Sequence, residues 1–254
     1  MSETRSALIT GAGSGIGRAI ALALLDAGFA VTLAGRRADA LDETVSLASP
    51  SSPDAVALTV PADVTDPVQV EALFARHAER FGRLDVLINN AGVFGPTADV
   101  GDLSPDDWRA TWDVNVTGAV LCAGAAFRRM RAQHPQGGRI INNGSIAAQS
   151  PRPLSVAYTT TKHAIAGLTK SIELDGRPNG ITATQLDIGN ARTGLIDALV
   201  GDGALQADGS KRPEPTFDVA HVAELVTRVA LLPAEVSVPQ LTVTAAGMPH
   251  IGRG

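Results

Sequence analysis

Short apolar runs alternating with longer helical patterns constrain this chain more than any other feature. Runs with strand character fall at Ala7–Thr10, Ala30–Ala34, Ala55–Val60, Leu84–Ile88, Arg139–Asn143, Ile181–Leu186 and Gln240–Val243. Helical patterns near residues 15–27, 37–48, 67–81, 105–131, 154–175 and 218–232 separate them. A helix between two strands returns the chain to the same edge, so the strands run parallel. The right-handed crossover rule then puts helices on both faces. The expected fold is α/β, a doubly wound, mostly parallel seven-stranded sheet in a single domain spanning residues 1–254. Ligands of such sheets bind beyond the carboxyl ends of the strands. Polar residues just after a strand therefore carry most of the functional information.

Bulk properties narrow the partners. The 254 residues suffice for one large domain with a buried core. Net charge is −5 and no Lys/Arg run appears, which argues against nucleic acid and anionic membranes. The longest apolar stretch, Ile20 to Ala34, is interrupted by Asp26 and Gly28, short of a spanning helix. The N-terminus shows no signal-peptide pattern. The single cysteine, Cys122, lies in an apolar run and reads as a small core residue in a reducing compartment. A cytoplasmic location is expected. Ser49–Pro53 reads as a connecting loop, and Gly201 to Phe217 as a long polar loop, either a lid or a surface excursion. The five histidines (His77, His134, His163, His221, His250) are scattered, which suits packing or surface roles rather than a metal site.

The first strand leads directly into Thr10-Gly11-Ala12-Gly13-Ser14-Gly15-Ile16-Gly17 and then a helix. Glycines there allow a tight turn and let backbone N–H groups approach a pyrophosphate at the positive helix end. The second strand ends at Gly35-Arg36-Arg37. NAD-preferring proteins place a carboxylate at such a position, whereas Arg36 offers a guanidinium suited to a 2′-phosphate. NADP(H) is accordingly favoured over NAD(H), against the alternative of two solvated arginines. Asp63, in Asp63-Val64-Thr65 after the third strand, is a candidate for the adenine amino group or for a turn or cap.

Tyr158 and Lys162 stand four residues apart in a helical segment and share one face. A free phenol, with pKa about 10, is a poor base near neutrality. An ammonium about 4 Å away contributes on the order of 1 kcal/mol in water and about 4 at an intermediate dielectric. The larger value equals roughly three pKa units, so the lysine is expected to lower the tyrosine. Tyr-x-x-x-Lys alone is common on amphipathic helices. Ser145, just after the fifth strand, adds a hydroxyl at the carboxyl edge that can stabilise charge on a substrate oxygen. Asn115, inside an apolar helical stretch, either links Lys162 to solvent through a water or bends its helix.

With these motifs in order, the chain resembles the short-chain dehydrogenase/reductase family, in the branch that includes ketoacyl and sugar-alcohol reductases. Thr10–Gly17 is similar to its cofactor glycine motif, and Asn89-Asn90-Ala91-Gly92 to the turn after its fourth strand. Asn115, Ser145, Tyr158 and Lys162 fall on its catalytic tetrad. The resemblance implies a Rossmann fold and hydride transfer between a nicotinamide dinucleotide and a small carbonyl/alcohol substrate. It implies that Tyr158 is the general acid in reduction and the base in oxidation, and that Ser145 polarises the substrate oxygen. Lys162 would lower the tyrosine and bind the nicotinamide ribose, while Asn115 anchors a relay water. Gly11, Ser14, Gly15, Ile16, Gly17, Arg36, Asp63, Val64, Asn90, Gly189, Ala191 and Thr193 are implied cofactor contacts, alongside Tyr158 and Lys162. The cofactor half covers about residues 5–115 and the catalytic and substrate half about 115–254.

The family commonly forms tetramers. The uncharged segment Val114 to Phe127 is consistent with a homo-oligomer interface, tetramer or dimer, or with a helix buried inside the monomer. One region departs from the family. After the sixth strand a Pro-Gly pair is usual, but here Asp187-Ile188-Gly189-Asn190-Ala191-Arg192-Thr193 follows. Asp187 or Asn190 is expected to shape the nicotinamide or substrate end. A non-catalytic dinucleotide-binding sensor is the rival reading, since a fold alone does not give a function. The substrate pocket, expected at Val93, Phe94, Ala147, Gln149, Leu154 and the 193–217 loop, carries no charge cluster.

Overall fold

The computed structural model describes residues 4–48, 56–193 and 203–250. The Ser49–Pro53 loop, the start of the third run at Ala55, the first two residues of the 201–217 loop and the last four residues of the chain lie outside them. Seven parallel strands form one sheet: β1 (Ser6–Thr10), β2 (Ala30–Gly35), β3 (Val56–Pro61), β4 (Val86–Asn89), β5 (Gly138–Asn143), β6 (Ile181–Gly189) and β7 (Gln240–Thr244). Their spatial order is β7-β6-β5-β4-β1-β2-β3. The chain winds one way from β1 and the other way from β4, and the cleft between these two is the switch point where doubly wound sheets bind ligands.

Helices cover both faces, as the near-continuous burial of β1 and β2 requires. Helices α1 (Gly15–Asp26), α2 (Ala38–Ser46) and α7 (Val219–Leu231) lie on one side. Helices α3 (Pro67–Phe81), α5 (Gly118–Ala132) and α6 (Val156–Gly176) lie on the other. Successive residues of β1 serve the two cores in turn: Ala7 and Ile9 join Ile20, Leu24 and Val226, while Leu8 joins Leu73, Cys122 and Met130. Cys122 is fully buried, and loss of water pushes its thiol up to about 12. Among the described residues no helix is long and apolar enough to cross a membrane.

Three features differ from the sequence expectation. The helical pattern at 105–131 is broken into α4 (Pro105–Trp112), a π-helical turn (Asp113–Thr117) and α5. Strand β6 continues to Gly189 because β7 pairs with it as far as Thr244↔Gly189. The described part of the 201–217 loop carries a small ladder, Ala204–Leu205 against Lys211–Arg212, and Phe217–Asp218 pairs in parallel with Ala191–Arg192.

His77 of α3 is buried at 1% exposure between β1 and β2. Its Nε2 faces the Arg83 carbonyl at 3.0 Å, an acceptor only, so Nε2 carries the proton and Nδ1 accepts from the Thr32 hydroxyl at 2.8 Å. Burial lowers its pKa from 6.5 to about 4. The unfolded chain therefore binds the proton first. The stabilisation is whole above pH 6.5 and is lost as pH falls toward 4. Between pH 7 and 4.5, wild type should lose about 2–3 kcal/mol more than a His77→Gln variant in denaturant unfolding. Equal pH slopes would contradict this assignment.

Candidate active site

The turn after β1 is built for close backbone approach. Gly11 and Gly15 have φ of 68° and 52°, the left-handed region that favours glycine. A Cβ on Gly17 would overlap the Gly11 carbonyl oxygen and the Asn90 amide nitrogen. Helix α1 begins at Gly15 with Ser14 as its extended N-cap, yet Ser14 makes no side-chain cap bond and the first turn holds no acid. The N–H groups of Gly15, Ile16 and Gly17 are thus left for an external acceptor, as helix N-termini that hold anions require. Thr193 faces this turn: a Cβ on Gly15 would come 3.6 Å from its methyl. Arg18 braces the turn from behind, donating to the Gly13 carbonyl at 2.7 Å and pairing with Glu43 of α2 at 2.6 Å.

Arg36 lies beside the turn, since the Ala12 N–H donates to Ala34 two residues before it. It is exposed and makes no hydrogen bond or ion pair among the described residues. The next carboxyl edge follows in line, with Ala62 N–H bonded to the Gly35 carbonyl. Asp63 folds back on Thr65, accepting from its N–H at 2.9 Å and its hydroxyl at 2.8 Å, a turn role in this state. Val64 is buried against Gly118, where a Cβ would come 2.7 Å from the valine.

Side chains bridge the cleft between β1 and β4. The Asn90 amide donates to the Thr10 carbonyl at 3.0 Å and the Gly11 carbonyl at 3.3 Å, and its Oδ1 accepts from Asn143 at 2.8 Å. The Asn143 carbonyl in turn accepts from Lys162 Nζ at 2.7 Å. An unbroken hydrogen-bonded path thus runs from the glycine turn to Lys162. Asn115 sits in the π-helical turn with its amide fully engaged. It exchanges bonds with both backbone groups of Val93 at 2.8 Å and donates to Thr161 of α6 at 3.0 Å. A break in the regular helix and a tie between elements therefore coincide at Asn115. π-turns of this kind recur at functional sites.

Tyr158 and Lys162 share a face of α6, with Lys162 Nζ 5.5 Å from the tyrosine ring centroid. Ser145 caps a short 3-10 turn (Ile146–Ala148), its hydroxyl accepting from the Ala147 N–H at 3.1 Å, and it lies close enough to Tyr158 to act on the phenol. The tyrosine is not lowered as the sequence argument expected. Burial raises it above 10, while Ser145 and the Arg152 charge pull it down and the Asp187 charge pushes it up. The lysine is drawn to the Asn143 carbonyl, and burial lowers it to about 8 with Asp187 opposing.

The departing segment, from the end of β6 onward, is densely bonded. Asp187, 1% exposed, accepts from the Ser145 N–H and from the side chains of Gln149, Gln185 and Gln240. Gly189 is wrapped so closely by Ile146 and Met248 that a Cβ would come within 2.9 Å and 3.0 Å of them. Asn190 takes a left-handed φ of 54° and bonds Arg152 and Glu214, which pair at 2.6 Å. Ala191, buried beside Phe217, then delivers the chain to Thr193. Sequence reasoning missed Asn143, Thr161, Gln185, Arg152 and Glu214, whose partners are distant in the chain.

Because the chain has one tyrosine, 13Cζ-tyrosine NMR reads Tyr158 alone. In the free protein its titration should lie above 10. A midpoint near 7 would contradict the dominance of burial.

Comparison with known proteins agrees with this geometry. The short chain dehydrogenase family matches residues 5–202. A 3beta-hydroxysteroid dehydrogenase of Mediterraneibacter gnavus is 34% identical over 195 residues, 77% of this chain and 69% of that protein. The structure of acetoin dehydrogenase YohF from Salmonella typhimurium superimposes with a TM-score of 0.80 at 32% identity, covering 95% of each chain. An alcohol dehydrogenase from Thermococcus sibiricus, complexed with 5-hydroxy-NADP, gives 0.79 at 26% identity, covering 95% of this chain and 96% of its own. The chain therefore belongs to the short-chain dehydrogenase/reductase family.

Proposed function

We propose that this protein interconverts a small carbonyl and its alcohol by hydride transfer with a nicotinamide dinucleotide, NADPH by preference. The observation that carries the reading is the gathering of Ser145, Tyr158 and Lys162 at the sheet's carboxyl edge, tied through Asn143 and Asn90 to the glycine turn. The turn's glycines and free N–H groups fit a pyrophosphate. Gly11, Ser14, Gly15, Ile16 and Gly17 would hold it, and Thr193, Gly189 and Ala191 would line the nicotinamide end. When bound, the dinucleotide supplies or accepts the hydride.

The protein's own residues manage the proton. Ser145 donates to the substrate oxygen, fixing it beside the Tyr158 hydroxyl. A phenol held above 10 is protonated at neutral pH, the form needed to give its proton to the developing alkoxide. In oxidation the same oxygen takes the proton back. Lys162 remains largely cationic at neutral pH with its value about 8, stabilising the phenolate left behind. Asn115 holds Val93 and Thr161 in place around this group, and its proposed part is to anchor a relay water through atoms other than its engaged side-chain amide. The mouth is apolar: Phe94 packs 4.8 Å from Tyr158, and Val93 and Leu154 are exposed beside it. An uncharged substrate suits it, in keeping with the alcohol and ketone names of the relatives.

Arg36 is the proposed 2′-phosphate partner, with Asp63 and Val64 near the adenine and Asn90 supporting the adenosine side. The division into a cofactor half (about 5–115) and a catalytic half (about 115–254) follows, with a cytoplasmic homo-oligomer meeting through α5, where Val120 is 46% exposed.

With a panel of ketones, Tyr158→Phe should lose about 10²- to 10⁴-fold in kcat/KM. Full activity in that variant would overturn the mechanism. Arg36→Ala should raise KM for NADPH roughly tenfold or more, the value of one charged hydrogen bond, while leaving NADH unchanged. Equal effects on both cofactors would refute the phosphate assignment.

A further inference from the structure

Asp187 is the least expected residue near this site: a fully buried carboxylate one residue before the position where the family usually has its proline. All four donors on it are neutral, the Ser145 peptide N–H at 3.0 Å and three glutamine amides at 3.0, 2.8 and 3.0 Å. Hydrogen bonds of this kind satisfy a buried carboxylate's oxygens without cancelling its charge. One donor, Gln185, is itself held in a buried polar chain. Gln185 bonds Thr169, Thr169 bonds Asn142, and Asn142 bonds Asn89, across α6, β5 and β4. Gly144 is part of the arrangement, because a Cβ there would overlap both the Gln185 amide and the Asp187 carboxylate. The glycine before the catalytic serine is what lets the acid reach that serine's backbone.

The charged and titratable groups around Asp187 are few. From α6 come Tyr158 and Lys162, and from the preceding loop comes Arg152, already paired with Glu214. β6 and β7 contribute the neutral Gln185 and Gln240. Lys162 is anchored to the Asn143 carbonyl, two residues from the Ser145 N–H that Asp187 holds, and both side chains are buried. Across this short Asn143–Ser145 span the Asp187 charge favours the ammonium form of Lys162.

We propose that Asp187 is a positioning residue of the reaction, fixing the Ser145 backbone and serving as counter-anion to the Lys162 ammonium. This rests on the proposed carbonyl chemistry for its kinetic consequence but not for its electrostatic one. The chain has three lysines, so 13C-lysine NMR resolves Lys162 from Lys170 and Lys211 without any assay. In wild type Lys162 should titrate near 8, and in Asp187→Asn at lower pH. In ketone reduction, both the Tyr158 acid and the Lys162 cation must be protonated. Removing the anion lowers both, so the alkaline limb of kcat/KM should move to lower pH, and Asp187→Glu should restore it.

Asp187→Ser, which leaves room for water beside the Ser145 N–H, carries the same test should the asparagine amide oppose the glutamine donors. A uniform loss of rate with the Lys162 titration and the alkaline limb unmoved would overturn the proposal. Inactivity of wild type toward every ketone, with the Lys162 shift intact, would instead reject the reaction and leave the counter-anion standing.

Discussion

The hydrogen-bonded path from Lys162 through Asn143 and Asn90 to Thr10 and Gly11 is the interaction on which the site depends. At the switch point β1 and β4 part beyond their paired residues, and their last backbone groups lose ladder partners. Buried carbonyls in that position must be satisfied by side chains. Asn90 meets the need, its amide donating to the Thr10 and Gly11 carbonyls and accepting from Asn143, whose own carbonyl takes Lys162; together they set the spacing between the glycine turn and the lysine. A reaction that brings two reactants together gains most when such spacing is rigid. The Thr10 hydroxyl reinforces it, accepting from the N–H groups of Asn90 and Ala91 at 3.0 Å each.

Electrostatics in the site is a contest between desolvation and a few charges. Burial acts against the ionised form of both Tyr158 and Lys162, raising one and lowering the other. Arg152 and Asp187 act oppositely on the tyrosine, and each is held by its own network. Arg152 is tied to Asn190 and Glu214, which also fasten the segment leading to Phe217. The end of β6 and the turn beyond it are therefore a connected element of the site, linking Ser145 to Arg152 and to the segment that leads to Phe217.

Much of this was legible in the sequence because it depends on local pattern. The strands announce themselves as apolar runs, and glycines at Gly11, Gly15 and Gly17 are demanded by backbone geometry. The Tyr158–Lys162 spacing is a property of any helix. What was hidden depends on contacts between distant segments. The π-turn at Asp113–Thr117 keeps an apolar helical pattern, so nothing in the residue order marks it except Asn115. The sign of the tyrosine shift was misread because burial and the Lys162–Asn143 bond cannot be seen in a four-residue spacing. Asp187 stood out as an unusual residue, while its glutamine partners looked ordinary until β6, β7 and the Ser145 turn were brought together.

The central claim is that a hydride passes from the nicotinamide to a carbonyl carbon held beside Tyr158. Incubation with NADPH carrying deuterium at the transferring C4 position, followed by mass spectrometry of the alcohol formed, tests it directly. The account predicts one deuterium on the carbinol carbon of the product. An alcohol formed without that label, or label retained wholly in the oxidised cofactor from either C4 face, would contradict it.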